Sequence, residues 1–137
     1  MKKAWKPLIF TLLLAGCTEA ATPEPINEDH KAYLSEKGWT PSEQLSMETE
    51  EIYLYPELLE QLQGYGLDLA EYNQNGTEAD TYTYLLEEEQ TTGDQIRVVI
   101  YEIDGELIGG YGVLEEWTPG GFSLDEKSRL VEDGVVE

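Results

Sequence analysis

Residues 96–114 read IRVVIYEIDGELIGGYGVL, and this stretch decides the fold. The dipeptide Asp104-Gly105 stands between two apolar runs that are rich in β-branched and aromatic residues. An Asp-Gly pair in that setting is a strong local signal for a two-residue hairpin turn of type I′. We therefore predict two antiparallel strands, over residues 96–103 and 106–114.

A two-residue turn fixes the register of the hairpin, because side chains on a strand alternate between its two faces. One face is the more continuously apolar, and we expect it to lie on the core beneath the helices. Its members are Ile96, Val98, Ile100, Leu107, Tyr111 and Val113. The other face forms a predicted binding strip. In cross-strand pairs, the strip consists of Arg97 opposite Gly112, Val99 opposite Gly110 and Tyr101 opposite Ile108.

Two interpretations of this strip are open. Gly110 and Gly112 leave part of the face without side chains, which often marks the close approach of a ligand or of another backbone. The strip is then a shallow groove for an extended peptide or a planar ligand, in which Arg97 binds a carboxylate through two hydrogen bonds. Alternatively, the glycines form a bulge that curves the sheet, and Trp39 or Trp117 fills the space.

The rest of the chain predicts an α+β domain, with two short N-terminal helices packed on a small antiparallel sheet of four to five strands. The predicted helices cover residues 28–37 and 57–63, and the further strands cover residues 49–55, 81–86 and 117–124. Trp39 is expected to fold onto the core, after Gly38 ends the first helix. We expect one domain over residues 28–130 and a frayed tail over residues 131–137.

The N-terminus is typical of a secretory signal, with three lysines before a short apolar run at residues 7–15. Residues 14–17 resemble the bacterial lipobox. The resemblance implies that residues 1–16 are a lipoprotein signal peptide and that Cys17 becomes the acylated N-terminal residue. An ordinary secretory signal with a coincidental cysteine is the alternative. The small, proline-interrupted segment that follows the cysteine predicts a flexible tether over residues 17–27. We therefore expect a lipid-anchored protein on the extracytoplasmic face of the cell membrane.

Charge and composition exclude several classes of function. The formal net charge is −21, and it would become −24 after removal of residues 1–16, which carry three lysines and no acidic residue. Such a charge argues against nucleic acid as a partner, because it repels phosphate. The single Cys and the single His exclude an internal disulfide, a Cys-only zinc site and a multi-His metal centre. No cofactor is indicated.

No catalytic constellation is recognisable in the sequence. Acidic runs at residues 50–51, 87–89 and 115–116 could bind calcium, but they lack the spacing of a calcium loop and are more typical of a solvated rim. His30 is expected to lie away from the core, where the tether meets the first helix. The nine tyrosines of the chain could form a recognition face or could be half-buried strand residues. They include Tyr53, Tyr55, Tyr82 and Tyr84.

The order of several short motifs is similar to that in one family. They are Tyr33-Leu34 with Gly38-Trp39, Ile52-Tyr53-Leu54 with Pro56, Gly66-Leu67-Asp68-Leu69 with Tyr72, Tyr82-Thr83-Tyr84, residues 104–110 and Gly121-Phe122. The family comprises small lipoproteins of Gram-positive bacteria catalogued as domain of unknown function 4830, and the resemblance covers residues 32–124. It implies a cell-surface lipoprotein and no established biochemistry. Tyr111 departs from that family, in which an acidic residue often stands there, and the loop at residues 73–80 is longer.

We expect a non-enzymatic, lipid-anchored binding or interaction module of the cell envelope. Its partners would be the membrane, through Cys17, and an envelope protein or peptide. The alternative is an acidic envelope protein that binds cations weakly or adapts the surface charge to its surroundings. A hydrolase or accessory enzyme that uses carboxylates is a third possibility.

Overall fold

The computed structural model describes residues 25–116 and 120–137. Within them the chain forms one antiparallel sheet in the order β1-β2-β3-β4-β5. The strands are β1 (Pro41–Glu51), β2 (Glu78–Glu89), β3 (Gln95–Ile103), β4 (Glu106–Leu114) and β5 (Gly121–Phe122). The helices are α1 (Glu28–Glu36), α2 (Pro56–Gly64) and α3 (Lys127–Glu132).

The predicted α+β class is confirmed, but the helices are not all N-terminal. Strand β1 separates α1 from α2, and α3 follows the sheet. Cys17, the predicted signal peptide and Trp117 lie outside the described residues.

Helix α1 is defined by its two ends. The side chain of Asn27 accepts hydrogen bonds from the backbone N–H groups of Asp29 (2.8 Å) and His30 (3.2 Å), which is a typical N-cap. After the helix Gly38 adopts a φ of +88°, a conformation that glycine reaches without strain. Trp39 then turns into the core, where it is 1% exposed, as predicted.

Helix α2 matches its prediction within one residue at each end. Pro56 occupies the first turn, where its missing N–H costs no hydrogen bond. Leu62 is the buried residue of this helix. The segment after it continues inward, because Leu67 and Leu69 are 1% and 0% exposed.

Strand β1 covers Pro41–Glu51, and the predicted strand at residues 49–55 is therefore wrong over most of its length. The prediction followed Ile52 and the tyrosines after it, which form the connection to α2. The sequence of β1, PSEQLSMETEE, has no alternation of apolar and polar residues, since nearly all of it is exposed. Its backbone pairing with β2 stabilises it instead.

The hairpin turn between β3 and β4 is the predicted one. Asp104 and Gly105 have φ angles of +53° and +78°, as a type I′ turn requires. Ile103 pairs with Glu106, also as predicted. Further along, the register shifts by one residue, because Ile108 is an extra residue in β4. Tyr101 therefore pairs with Gly109 and not with its predicted partner, Ile108.

This bulge at Ile108 reverses the predicted faces of β4 from Gly110 onward, whereas Leu107, which precedes it, packs on the predicted core face with Ile100. Val99 pairs with Tyr111, and Arg97 pairs with Val113. A shift of one residue moves each side chain to the opposite face. Gly110 and Gly112 consequently lie on the face that α1 and α3 cover, and the predicted core positions of Tyr111 and Val113 are wrong.

Two cores result, one on each face of the sheet. The first core lies beneath α1 and α3 and contains Leu34, Trp39, Tyr84, Leu86, Ile96, Val98, Ile100, Leu114, Phe122, Leu124, Leu130 and Val136. The second core lies beneath α2 and contains Ile52, Leu62, Leu67, Leu69, Ala79 and Ile103, with Tyr101, Ile108 and Tyr111 packed against it.

The end of the chain is docked on the domain, which corrects the expectation of a frayed tail at residues 131–137. Leu130 and Val136 are 3% and 1% exposed, and both belong to the first core. Val136 also forms an isolated antiparallel bridge with Gln90. Burial of these side chains supplies the free energy that holds the last residues.

The packing of Phe122 on Gly112 gives a first testable prediction. A Cβ atom at residue 112 would overlap the Phe122 ring, so Gly112→Ala should lower the free energy of unfolding by about 1–3 kcal/mol. Urea unfolding of the purified protein measures this loss. Gly64→Ala is the matched control, because a Cβ there has no atom within 4 Å. Equal stability of the two variants would contradict the position of the ring.

Candidate functional site

The structure does not bring the six residues of the predicted strip together. Arg97, Val99 and Tyr101 share the face of the second core with Tyr111 and Val113. Gly110 and Gly112 are buried on the opposite face. A bulge is present in β4, but it lies at Ile108, and Gly110 and Gly112 pair regularly with Ile100 and Val98.

The residue that covers Gly112 is one that neither interpretation named. Phe122 lies over the glycine, and the Trp39 ring packs on Phe122 with a centroid distance of 5.6 Å. The space above the glycine is therefore filled from within the chain.

Arg97 also differs from its predicted role as a carboxylate anchor for a ligand. Its guanidinium donates to the carboxylate of Glu115 and forms an ion pair with it. The two side chains are 45% and 36% exposed. Exposed pairs of this kind contribute up to about 1 kcal/mol, so the pair is a surface contact that already engages the guanidinium.

A different surface is formed by the outer edge of β1. Strand β1 is at the end of the sheet and pairs with β2 alone among the strands of the described residues. Its pairing is regular from Ser46 to Glu51. An edge strand presents a row of backbone N–H and C=O groups that can pair with another chain.

The side chains of β1 give this edge its chemical character. Leu45 and Met47 are each 45% exposed, although both are apolar. Four acidic residues accompany them, and all four are exposed. They are Glu43, Glu48, Glu50 and Glu51. The edge is therefore long, acidic and partly apolar.

A small cavity lies where β1 ends. Its volume is about 130 Å³, and its lining residues are Glu50, Glu51, Ile52, Tyr53, Leu54, Leu69, Ala79 and Tyr101. Ile52, Leu69 and Ala79 are 4%, 0% and 1% exposed, so the cavity has an apolar lining that belongs to the second core. Glu50, Glu51 and Tyr101 add polar groups to it.

Burial and neighbouring groups raise the pKa of two tyrosines at or near this cavity. Burial, the neighbouring Tyr111 and the carboxylate of Glu50 raise the pKa of Tyr101 to about 12. The pKa of Tyr111 is raised by burial, by Tyr65 and by Glu50. Both phenols therefore stay neutral at physiological pH and face a negative carboxylate, an arrangement that favours a cation nearby.

The basic side chains of the described residues form no ion pair with Glu50 or Glu51. Four of the five basic side chains in the described residues form ion pairs with other acids. They are Lys37 with Asp125, Arg97 with Glu115, Lys127 with Glu88, and Arg129 with Glu126 and Asp133. The fifth, Lys31, is exposed on α1. Within the part of the chain that the structure describes, Glu50 and Glu51 have no basic partner.

A second cluster of polar side chains surrounds His30, for which the sequence predicted a position away from the core. That placement is wrong, because His30 is 0% exposed. Its Nδ1 lies 2.5 Å from the hydroxyl of Tyr84, and its Nε2 is hydrogen-bonded to the carboxylate of Glu102. The ring also meets the edge of Tyr82 at a centroid distance of 4.6 Å.

The hydrogen bonds of this network fit the donors and acceptors that its members provide. Burial, Tyr82 and Glu102 raise the pKa of Tyr84 to about 12, so its hydroxyl keeps its proton. A ring protonated on Nε2 donates to Glu102 and accepts from Tyr84 at Nδ1, which satisfies all three groups. The network therefore attaches α1 to β2 and β3 by buried hydrogen bonds.

One sequence signal could have placed His30 correctly. His30 and Leu34 are four residues apart on a helix, and positions with that spacing lie on one face. Both residues are 0% exposed. The β1 edge and the cavity had no comparable signal, because their residues meet only through the pairing of β1 with β2.

Of the four tyrosines considered for a recognition face, two are exposed. Tyr53 and Tyr55 are 71% and 63% exposed, whereas Tyr84 is 0% exposed and Tyr82 is partly buried. They do not form one face.

Two further features, a metal-binding cluster and a membrane-spanning helix, are absent from the described residues. In that part of the chain, no group of three or more His, Cys, Asp or Glu side chains could hold a metal ion. No helix there is long and apolar enough to cross a membrane. Comparison of the chain with family models, with curated proteins and with solved structures found no match.

The His30 network gives a prediction about stability. His30→Leu keeps a similar volume but removes the hydrogen bonds that the ring makes to the Glu102 carboxylate and the Tyr84 hydroxyl, although Glu102 keeps a second partner, the Tyr82 hydroxyl. We expect the free energy of unfolding to fall by at least about 2 kcal/mol.

The neighbouring Lys31→Ala is the matched control, because Lys31 is exposed on the same helix. It should change the free energy of unfolding by no more than about 0.5 kcal/mol. A His30→Leu variant as stable as this control would contradict the network.

Proposed function

We propose that the protein is a lipid-anchored, non-enzymatic binding module of the cell envelope. It binds an extended, basic segment of a partner protein along the free edge of β1. The observation that carries this proposal is that β1, an eleven-residue strand at the end of the sheet, pairs with β2 alone among the described strands and is exposed at nearly all of its positions. The anchor at Cys17 and the position on the extracytoplasmic face are part of the proposal and rest on the lipobox resemblance.

Backbone pairing explains how such an edge would bind. An extended peptide that adds to a sheet edge gains main-chain hydrogen bonds, and its alternate side chains supply specificity. The regular stretch from Ser46 to Glu51 offers six consecutive residues for this pairing. Exposed Met47 would contact an apolar side chain of the added strand.

Charge determines which strand is accepted. Natural edge strands often carry charges that prevent pairing with a second copy of the same protein. Glu48 and Glu50 share one face of β1 and would bring like charges close together in such a pair, which is unfavourable. A lysine- or arginine-rich strand reverses the sign of that interaction.

The proposed tether fits binding at a distance from the bilayer. A chain from Cys17 to Asn27 spans at most roughly 35 Å when fully extended. This separation keeps an acidic domain away from anionic headgroups while a partner approaches from the envelope.

A designed peptide tests the proposal. The probe is an acetylated hexapeptide of alternating lysine and valine, and its control carries N-methyl groups on alternate residues, which removes backbone donors but keeps the charge. Titration of the isotope-labelled protein, followed by amide chemical shifts, should show binding of the probe at residues 46–51. The N-methylated peptide should bind at least about tenfold more weakly, since it loses several backbone hydrogen bonds.

Substitutions at the edge separate backbone pairing from general charge. Glu48→Gln should weaken binding of the probe about twofold to fivefold, which is the range of an exposed ion pair, whereas Glu87→Gln on β2 should leave it unchanged. Equal binding of both peptides would contradict edge pairing and would favour the acidic, weakly cation-binding alternative. Shifts confined to other strands would also contradict it.

A further inference from the structure

We infer that the cavity at the end of β1 is a binding site for an alkylammonium group, the side chain of a lysine. This inference rests on the proposed function, because that lysine would belong to the extended segment paired with β1.

The size of the cavity suits this group. Apolar cavities of about 150 Å³ admit benzene, which has six heavy atoms. The lysine side chain has five heavy atoms in a chain, and the cavity volume is about 130 Å³. An arginine side chain is longer and ends in a broad planar group, so lysine fits better.

The lining matches the two parts of a lysine side chain. Ile52, Leu69 and Ala79 present apolar surface for the methylene stem, which gains free energy when it leaves water. The ammonium can then reach the polar wall formed by Glu50, Glu51 and the aromatic residues. Tyr53 and Tyr101 supply rings that attract a cation over their faces.

Two groups of the cavity have no partner within the described chain. The Tyr101 hydroxyl makes no hydrogen bond in the described residues, in contrast to the Tyr84 hydroxyl on the other face of the sheet. The carboxylate of Glu50 lies close enough to Tyr101 and Tyr111 to raise the pKa of both, yet no described cation neutralises it. A lysine ammonium would supply donors to both groups.

The position of the cavity connects it with the edge. Glu50 and Glu51 are the last residues of β1, and both line the cavity. A segment paired with Ser46–Glu51 therefore ends beside the cavity opening. One lysine near the end of that segment can enter the cavity while the backbone stays paired.

The test uses two small probes on the full chain. The first is Nα-acetyl-lysine N-methylamide, and its matched control carries an additional acetyl group on Nζ, which removes the charge and keeps the stem. Amide and aromatic chemical shifts of the isotope-labelled protein report where each probe binds. We expect the charged probe to shift Ile52, Ala79 and Tyr101, and the neutral probe to leave them unchanged.

Variants of the cavity give a second readout. Glu50→Gln should weaken binding of the charged probe by about twofold to fivefold, as for other accessible ion pairs. Tyr101→Phe should weaken it to a similar extent, and Glu87→Gln should have no effect.

The outcomes separate this inference from the proposed function. Equal binding of both probes, or no shift at the cavity residues, overturns the inference. If the hexapeptide pairs with β1 but leaves the cavity signals unchanged, the cavity site is wrong and the edge remains. If the lysine probe binds at the cavity but the hexapeptide does not pair with β1, the cavity site is supported and the proposed function of the edge is contradicted.

Discussion

The bulge at Ile108 is the constraint on which both cores depend. One extra residue in β4 moves every later side chain of that strand to the opposite face. Gly112 thereby lies under Phe122, where a larger residue could not fit. Tyr111 turns to the other face and packs near Tyr65, with a ring distance of 5.8 Å. The two large rings, Phe122 and Tyr111, are accommodated on opposite faces because of this single irregularity.

The buried cores and the proposed binding edge lie on different strands. The interior strands β2, β3 and β4 contribute buried residues to both cores, and β2 and β3 supply the partners of His30. Strand β1 has one buried residue, Pro41, in its eleven positions. Few side chains of β1 are packed in a core, so charged side chains there remain in contact with water. Substitutions at Glu48 or Glu50 should leave the fold intact, so their effects on binding can be interpreted directly.

The sequence predicted those parts of the fold that depend on local signals. The Asp104-Gly105 turn, helix α2 and the burial of Trp39 follow from turn chemistry, Pro56 and apolar content. The bulge could not be predicted, because Gly109 and Gly110 permit several registers and only the packing of Phe122 selects one. Strand β1 has no apolar alternation, since pairing with β2 forms it. The candidate site was missed for the same reason: Glu50 and Tyr101 meet only after β1, β2 and β3 align.

The register of β3 and β4 is the claim to measure first. Cross-strand nuclear Overhauser effects in the labelled protein report which residues face each other. With the bulge in place, we expect contacts between Val99 and Tyr111 and between Arg97 and Val113. Contacts between Val99 and Gly110 and between Arg97 and Gly112 would show a hairpin without the bulge. That result would place the glycines on the open face and contradict the arrangement of both cores.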